Sequence, residues 1–227
     1  MFGKRYRFME NEMSQSLEDQ VVSSEVESVE AESSDDEEIG FEDLGLDEIT
    51  LAAIEKKGFK VPSPIQVLAI PRLLNGDANV IAKARTGTGK TAAFGLPLVQ
   101  RLRDEGDTVR AIILEPTREL AMQTATEMAS FTTGRCPRTC VVYGGASIEG
   151  QIRSLKKGAQ IIVATPGRLL DLMERGVTDL GRVRNVVMDE ADEMLNMGFL
   201  EDIDSILSGI PEERRIMLFS ATMPDEI

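Results

Sequence analysis

The 227-residue chain contains no histidine, no tryptophan and only two cysteines, Cys136 and Cys140. Without histidine a mixed Cys/His zinc site is excluded, and two cysteines alone make an incomplete metal site. They also cannot form a disulfide framework, which favours a reducing compartment and ordinary structural roles for both thiols. No apolar run approaches the roughly 18 residues that span a bilayer. We therefore expect a cytoplasmic protein without a membrane segment.

Basic residues are scarce near the amino terminus. Residues 1–40 carry twelve acidic and three basic residues, whereas residues 41–227 carry 27 acidic and 22 basic ones. The stretch 10–38 has no aromatic and no basic residue, so it cannot bury enough apolar surface to offset the entropy of ordering. Residues 1–40 are predicted to be a disordered acidic tail. The tail is either a solubilising segment or a regulated arm, phosphorylated at Ser33 or Ser34.

From residue 41 onward, short apolar runs alternate with helix-like stretches. One helix is predicted between an Asp47 N-cap and a Gly58 stop, and a second has Pro64 in its first turn and Gly76 after its end. Strands are predicted at 79–83, 111–114, 139–143, 160–164, 185–188 and 216–219. Helices are predicted at 90–102, 118–131, 148–157, 167–175 and 200–208. This alternation predicts an α/β fold, with a parallel sheet covered by helices on both faces and ligands at the carboxyl ends of its strands.

The stretch ARTGTGKT, residues 84–91, lies between a predicted strand and a predicted helix, which is the context that a phosphate-binding loop requires. Gly87 and Gly89 let backbone N–H groups turn inward around an anion, and the following helix adds its positive end. Lys90 can reach the β- and γ-phosphates, and the Thr91 hydroxyl can ligate Mg²⁺. Ala84 stands where the usual pattern has its first glycine, which is a departure.

The stretch VVMDEADEM places two carboxylates at the end of an apolar strand. Asp189 is a candidate Mg²⁺ ligand, and Glu190 can position or deprotonate an attacking water. Taken alone, each motif could be a polar turn in solvent. Together they predict phosphoryl transfer from ATP or GTP, with Lys90, Asp189 and Glu190 as the catalytic residues.

The letters DEAD at 189–192 make a resemblance specific: the chain resembles the amino-terminal RecA-like lobe of DEAD-box ATP-dependent RNA helicases. Matching motifs run in the family's order from Phe41 to about Thr222. The resemblance implies a single RecA-like lobe of the P-loop NTPase class over 41–227, with the adenine-recognition motif at 39–67. It also implies ATP and Mg²⁺ as cofactors, with Thr91 and Asp189 at the metal.

Within that resemblance, GFKVPSPIQ is similar to the family's adenine-recognition motif. Gln66 is expected to read the adenine edge, since an amide both donates and accepts hydrogen bonds. Phe41 or Phe59 is expected to pack on or near the base, and the motif favours ATP over GTP. The residues assigned to the nucleotide are Phe41, Phe59, Gln66, Ala84, Arg85, Thr86, Gly87, Thr88, Gly89, Lys90 and Thr91.

Three further motifs, LEPTREL, YGGAS and ATPGRLLD, follow successive predicted strands, and in the family these motifs contact RNA. Each alone could be a helix cap or a turn. Together they imply binding to the RNA backbone without sequence preference. The residues assigned to RNA are Pro116, Thr117, Arg118, Gly144, Gly145, Thr165, Pro166, Gly167 and Arg168. Ser220, Ala221 and Thr222 of FSATMP are expected to couple the nucleotide site to unwinding through hydrogen bonds to Asp192.

The chain ends at Ile227, and nothing in it resembles the family's second lobe, which supplies arginine fingers. We therefore expect a fragment of a longer helicase, in which the second lobe is a partner. Alone it is expected to bind nucleotide weakly, hydrolyse it slowly or not at all, and unwind nothing. Two alternatives stay open: a RecA-like lobe that acts on DNA or protein, and a non-enzymatic module that binds RNA or a partner.

Overall fold

The computed structural model describes the backbone of residues 26–30 and the whole of residues 39–222. Its strands are β1 Val26–Glu30, β2 Asn79–Lys83, β3 Ala111–Leu114, β4 Thr139–Val142, β5 Ile161–Ala164, β6 Asn185–Met188 and β7 Arg215–Ser220. They form one sheet in the order β1-β2-β7-β6-β3-β5-β4, and every pair is parallel. All the strands therefore end at the same edge of the sheet.

The helices are α1 Glu48–Lys57, α2 Pro64–Asn75, α3 Lys90–Leu102, α4 Arg118–Phe131, α5 Ile148–Lys156, α6 Pro166–Glu174, α7 Ala191–Asn196 and α8 Leu200–Ser208. A 3₁₀ turn, Phe41–Leu44, precedes them. Helix α1 begins as predicted, because the Asp47 side chain accepts a hydrogen bond from Thr50 N at 2.8 Å. It ends at Gly58, which has a left-handed φ of 76°. In the described ranges no helix is both long and apolar enough to cross a bilayer.

The sheet is buried on both faces, which explains why its central strands are uninterrupted apolar runs. Ile113 and Val187 pack with α2, α3 and α4 in one core cluster. Their chain neighbours Ile112 and Val186 point to the opposite face and pack in a second cluster with α6, α7 and α8. The predicted α/β architecture with helices on both faces is therefore confirmed.

Three elements differ from the sequence prediction. Val26–Glu30 pairs with β2 as an edge strand, so the prediction of a disordered tail is wrong for these five residues. The short helix α7 and the 3₁₀ turn were not predicted, because runs of six and four residues carry too little periodicity. Residues 1–25 and 31–38, which include Ser33 and Ser34, lie outside the described residues, as do residues 223–227.

A buried arginine joins the end of α2 to the sheet. Arg215 Nε donates to Ala78 O at 2.6 Å, and its two terminal nitrogens donate to Leu73 O at 3.0 Å and Arg72 O at 3.1 Å. Carbonyl groups in the last turn of a helix have no partner within the helix, and a cation there also meets the negative end of the helix dipole. Arg215 therefore fixes α2 against the start of β7.

We expect Arg215→Met to lower the free energy of unfolding by about 1–3 kcal/mol, because it removes the donor to Ala78 O and one of the donors to Leu73 O and Arg72 O. Urea denaturation monitored by circular dichroism measures the change. The control is Arg175→Met, which removes an exposed arginine paired with Asp171 at 2.5 Å within one helix turn; it should cost less than about 0.5 kcal/mol. Equal losses for the two variants would contradict this role of Arg215.

Candidate functional site

Lys90 lies between two carboxylates at the carboxyl edge of the sheet. Its Nζ is 3.1 Å from Asp189 Oδ1 and 2.8 Å from Glu190 Oε1. Lys90 begins α3 after β2, whereas Asp189 and Glu190 follow β6, and only β7 separates those two strands in the sheet. The phosphate-loop motif and the acidic motif, about a hundred residues apart in the chain, therefore meet, as the sequence predicted.

The loop before Lys90 has the conformation that its glycines allow. Gly87 and Gly89 have φ values of 82° and 88°, in the left-handed region where other residues are strained. Thr88 closes the turn, since its backbone N–H and its hydroxyl both donate to Arg85 O, at 3.3 and 2.7 Å. Ala84 N donates to Ser220 O at 2.9 Å, which joins the start of the loop to the end of β7. Thr91 is half-buried in the first turn of α3.

Gln66 connects the predicted adenine motif to the phosphate loop. Its Oε1 accepts from Ser63 N at 2.9 Å, and its Nε2 donates to Gly89 O at 3.1 Å. A Cβ at position 89 would collide with Gln66 Nε2, so this contact requires glycine there. The sequence predicted that the Gln66 amide binds the adenine base, whereas only the structure shows that this amide also holds the phosphate loop.

Phe41 and Phe59, the two candidate base-packing rings, contact each other. Their centroids are 6.4 Å apart and their planes differ by 21°. Phe41 is buried in the core, whereas Phe59 is half-buried. Phe59 is therefore the more accessible of the two rings.

Glu190 has φ 50° and ψ 49°, and no other non-glycine residue of the described chain has a positive φ. A left-handed conformation at a residue with a side chain costs on the order of 1 kcal/mol and is concentrated at functional sites. The conformation directs the carboxylate to Lys90 and to the Thr86 hydroxyl, which donates to Glu190 Oε1 at 2.9 Å. Backbone strain at this residue thus accompanies a defined side-chain position.

Asp192 binds the end of β7, as predicted. Its Oδ2 accepts from Thr222 N at 3.0 Å and from the Thr222 hydroxyl at 2.7 Å, and its own N–H donates to Ser220 Oγ at 3.2 Å. Burial raises the pKa of Asp192, but the hydrogen bonds from Thr222 and Ser220 outweigh it and hold the pKa below its usual value. Ala221 lies half-buried between the two partners.

The residues assigned to RNA follow β3, β5 and β4, which are adjacent in the other half of the sheet. Thr117 caps α4, accepting from Leu120 N at 3.3 Å, and Pro116 before it is buried. Arg118 is exposed, with its guanidinium carbon 5.0 Å from the centroid of the Tyr143 ring. The predicted RNA residues therefore form one continuous edge, next to the half that carries Lys90.

The remaining members of this group differ in their exposure. Gly144 and Gly145 are exposed, and Gly144 N donates to the Thr165 hydroxyl at 3.4 Å. Pro166 is buried and Gly167 exposed at the start of α6. Arg168 does not reach outward, because both of its terminal nitrogens donate to Ala146 O, at 3.2 and 3.3 Å.

Residues 63–227 match the DEAD/DEAH box helicase family, and the match covers most of the chain.

This chain belongs to the DEAD/DEAH box helicase family.

Similar members of the family include the DEAD-box ATP-dependent RNA helicases CshA of Streptococcus pneumoniae serotype 4 and Bacillus subtilis. They are 55% and 51% identical over 177 residues, or 78% of this chain. A DEAD box protein from Methanococcus jannaschii has a similar crystal structure, with a TM-score of 0.79 and 48% identity over 82% of this chain and 51% of that one. These likenesses confirm the RecA-like lobe. The chain spans only 34–36% of the length of the two CshA relatives.

The sequence analysis missed one buried residue beside this site, Glu115. It follows β3 directly, one position beyond the register pair of Leu114 and Met188, so it lies beside Asp189. Its side chain is 1% exposed, and its Oε1 accepts from the Thr124 hydroxyl of α4 at 2.6 Å. A glutamate inside the stretch ILEPTREL was the available signal, because an ionised carboxylate is rarely fully buried without a partner.

The protonation of these buried groups follows from their surroundings. Burial, followed by the charge of Asp189, raises the pKa of Glu115 from 4.5 to about 8. Burial alone lowers the pKa of Lys90, but the carboxylates of Asp189 and Glu190 outweigh it and raise that pKa overall. Burial also raises the pKa of Asp189, against the nearby Lys90 ammonium. Lys90 is therefore charged and Glu115 is protonated at neutral pH.

We expect the stability of the chain to fall as pH rises from 5 to 8. The folded Glu115 keeps its proton to about pH 8, whereas the unfolded one loses it near 4.5, so the folded state binds more protons in between. The slope approaches at most about 1.4 kcal/mol per pH unit. Asp189, whose pKa burial also raises, contributes in the same direction. The chain has no histidine, and Asp47, Asp77 and Asp192 have lowered pKa values, so they titrate below this window.

Urea titrations at several pH values, compared between wild type and Glu115→Gln, measure the effect. The variant should have a flatter profile, whereas Glu119→Gln, which changes an exposed carboxyl in the first turn of α4, should keep the wild-type slope. A wild-type stability independent of pH between 5 and 8 would rule out the raised pKa.

Proposed function

We propose that this chain is the ATP-binding lobe of an ATP-dependent RNA helicase and that it couples ATP hydrolysis to RNA binding in a longer protein. The observation that carries the proposal is the convergence of Lys90 with Asp189 and Glu190 behind a glycine loop. A buried lysine at the head of a helix, facing a strand-end carboxylate, is the arrangement that phosphoryl transfer uses.

Lys90 is suited to neutralise the β- and γ-phosphates, and the glycine loop of residues 86–89 is suited to bring its backbone close to them. Glu190, held by Lys90 and Thr86, is suited to orient or deprotonate the attacking water. Gln66 retains one N–H for the adenine edge beyond its bond to Gly89 O, and Phe59 is the ring closer to solvent for the base. These features support ATP over GTP.

Mg²⁺ fits the same site through oxygen donors, which it prefers. Thr91 contributes a hydroxyl and Asp189 a carboxylate, and across the described residues no cluster of three or more Asp, Glu, Cys or His side chains could enclose a metal. Such a sparse donor set suits an ion held mainly by phosphate oxygens and water. When bound, Mg²⁺ would neutralise charge that develops on the phosphates.

RNA is proposed to bind along the ends of β3, β5 and β4. The exposed Arg118, the Thr117 hydroxyl and the backbone around Gly144 and Gly145 suit phosphates, and few groups there could read bases. Asp192, Ser220, Ala221 and Thr222 are proposed to couple the nucleotide site to RNA unwinding.

Arginine fingers from a second lobe add about 10³–10⁵ in rate in related phosphoryl transfer, so we expect slow turnover by this chain alone. A cytoplasmic location stays a prediction.

Lys90→Ala should weaken Mg·ATP binding by about a hundredfold, because a charge-assisted contact to phosphate is lost. Titration with a fluorescent ATP analogue measures this, and Lys156→Ala is the control, since Lys156 is exposed in the last turn of α5, away from the carboxyl ends of the strands. Glu190→Gln should keep the affinity while turnover is lost in the longer protein. Normal turnover by Glu190→Gln would show that the role assigned to Glu190 is wrong.

Gly144→Ala should weaken RNA binding without lowering stability. A Cβ at Gly144 meets no atom within 4 Å and its φ is not positive, so nothing inside the chain requires glycine there. Gly134→Ala is a matched control, because a Cβ at position 134 also enters open space. Gly134 precedes β4, whereas Gly144 follows it, so Gly134 lies away from the proposed RNA edge. Anisotropy of a labelled oligouridylate should show about a tenfold loss for Gly144→Ala alone. Equal affinities for both variants would remove Gly144 from the RNA track.

A further inference from the structure

Gln151 holds both backbone groups of a single residue at the end of the edge strand β4. Its Nε2 donates to Tyr143 O at 3.0 Å, and its Oε1 accepts from Tyr143 N at 3.3 Å. Pairing of β4 with β5 ends at Val142 and Ala164. The Gln151 amide, which is 8% exposed, therefore takes the place of a neighbouring strand for one more residue.

The same amide also fixes Arg168. Gln151 Oε1 accepts from Arg168 Nη1 at 3.0 Å, while Arg168 donates to Ala146 O through both terminal nitrogens. One end of the loop 143–146 is thus held by Gln151 and the other by Arg168. Because the guanidinium is committed to Ala146 and Gln151, Arg168 shapes the loop in this arrangement and does not point to solvent.

Arg118, which follows β3, joins this network through the Tyr143 ring. The Tyr143 ring lies under Arg118, 5.0 Å from the guanidinium carbon to the ring centroid. A cation over an aromatic face gains about 0.5–1 kcal/mol at an exposed site and is held in a preferred position. Fixing the Tyr143 backbone therefore also fixes the support of Arg118.

We propose that Gln151 is a positioning residue for the RNA backbone, holding Arg168, the loop 143–146 and the support of Arg118 in the shape that phosphates meet. The inference rests on the proposed RNA-binding function and adds a residue that contacts no ligand itself. The oxygen and nitrogen of its amide bind Tyr143, after β4, and Arg168, after β5. An apolar side chain of similar size would remove all of these hydrogen bonds at once.

Gln160 provides a matched control at the opposite edge of the sheet. It is also a buried amide before β5, where its Oε1 accepts from Arg138 N at 2.6 Å and its Nε2 donates to Gly106 O. Gln151→Met and Gln160→Met therefore each remove three hydrogen bonds of a buried amide, the first at the proposed RNA edge and the second away from it. A purely structural role predicts the same consequences for both.

The test measures binding of a fluorescein-labelled single-stranded oligouridylate to the full chain by anisotropy at low salt. Gln151→Met should weaken RNA binding about tenfold. Mg·ATP affinity should stay within about twofold of wild type, and Gln160→Met should change neither affinity by more than that. Gln151→Asn, which is one methylene shorter and cannot span both partners, should behave like Gln151→Met and serves if the latter fails to fold.

A double-variant cycle with Arg168→Met separates positioning from loss of stability. If Gln151 acts through Arg168, adding Gln151→Met to Arg168→Met should weaken RNA binding by less than it does in wild type. RNA affinities of both Gln151 variants within about twofold of a wild type that binds RNA would overturn this inference alone. A wild-type chain that does not bind the oligouridylate would instead overturn the RNA-binding proposal.

Discussion

The ion pair between Lys90 and the adjacent carboxylates of Asp189 and Glu190 is the interaction on which the rest of the site depends. It joins the loop after β2 to the end of β6, and all three side chains are largely withdrawn from water. Removing Lys90 would leave two buried carboxylates without their cation, and an unpaired buried charge is far more unfavourable than an exposed one. The two motifs therefore do not form ordinary solvent-exposed turns.

The parallel sheet gives that pairing its context. Strands β2, β7 and β6 end at the proposed nucleotide half of the edge, and β3, β5 and β4 end at the proposed RNA half. Glu115 follows β3, the strand beside β6, and bonds to Thr124 of α4, the helix that begins at Arg118. A protonated carboxyl at this boundary adds no further negative charge beside Asp189 and Glu190.

The sequence predicted most of the fold, because strands buried on both faces must be continuous apolar runs and because Asp47 and Gly58 mark the ends of a helix. It also predicted that Lys90 would meet Asp189, since parallel strands share one edge. It could not predict Val26–Glu30 as a strand, because acidic composition argues against order and the pairing with β2 is a tertiary contact. The inward orientation of Arg168 and the burial of Glu115 also depend on neighbours distant in the chain.

The contact of Gln66 with Gly89 has a consequence for how the two ends of a nucleotide would be sensed. Gly89 has no side chain, and its carbonyl accepts a hydrogen bond from the amide proposed to bind the base, so the two segments are directly joined. A displacement of the loop by a phosphate would pull on Gln66 and so reach the Ser63 backbone at the head of α2. A purine without phosphates would therefore contact only the Gln66 segment, and a phosphate chain without a purine would contact only the glycine loop.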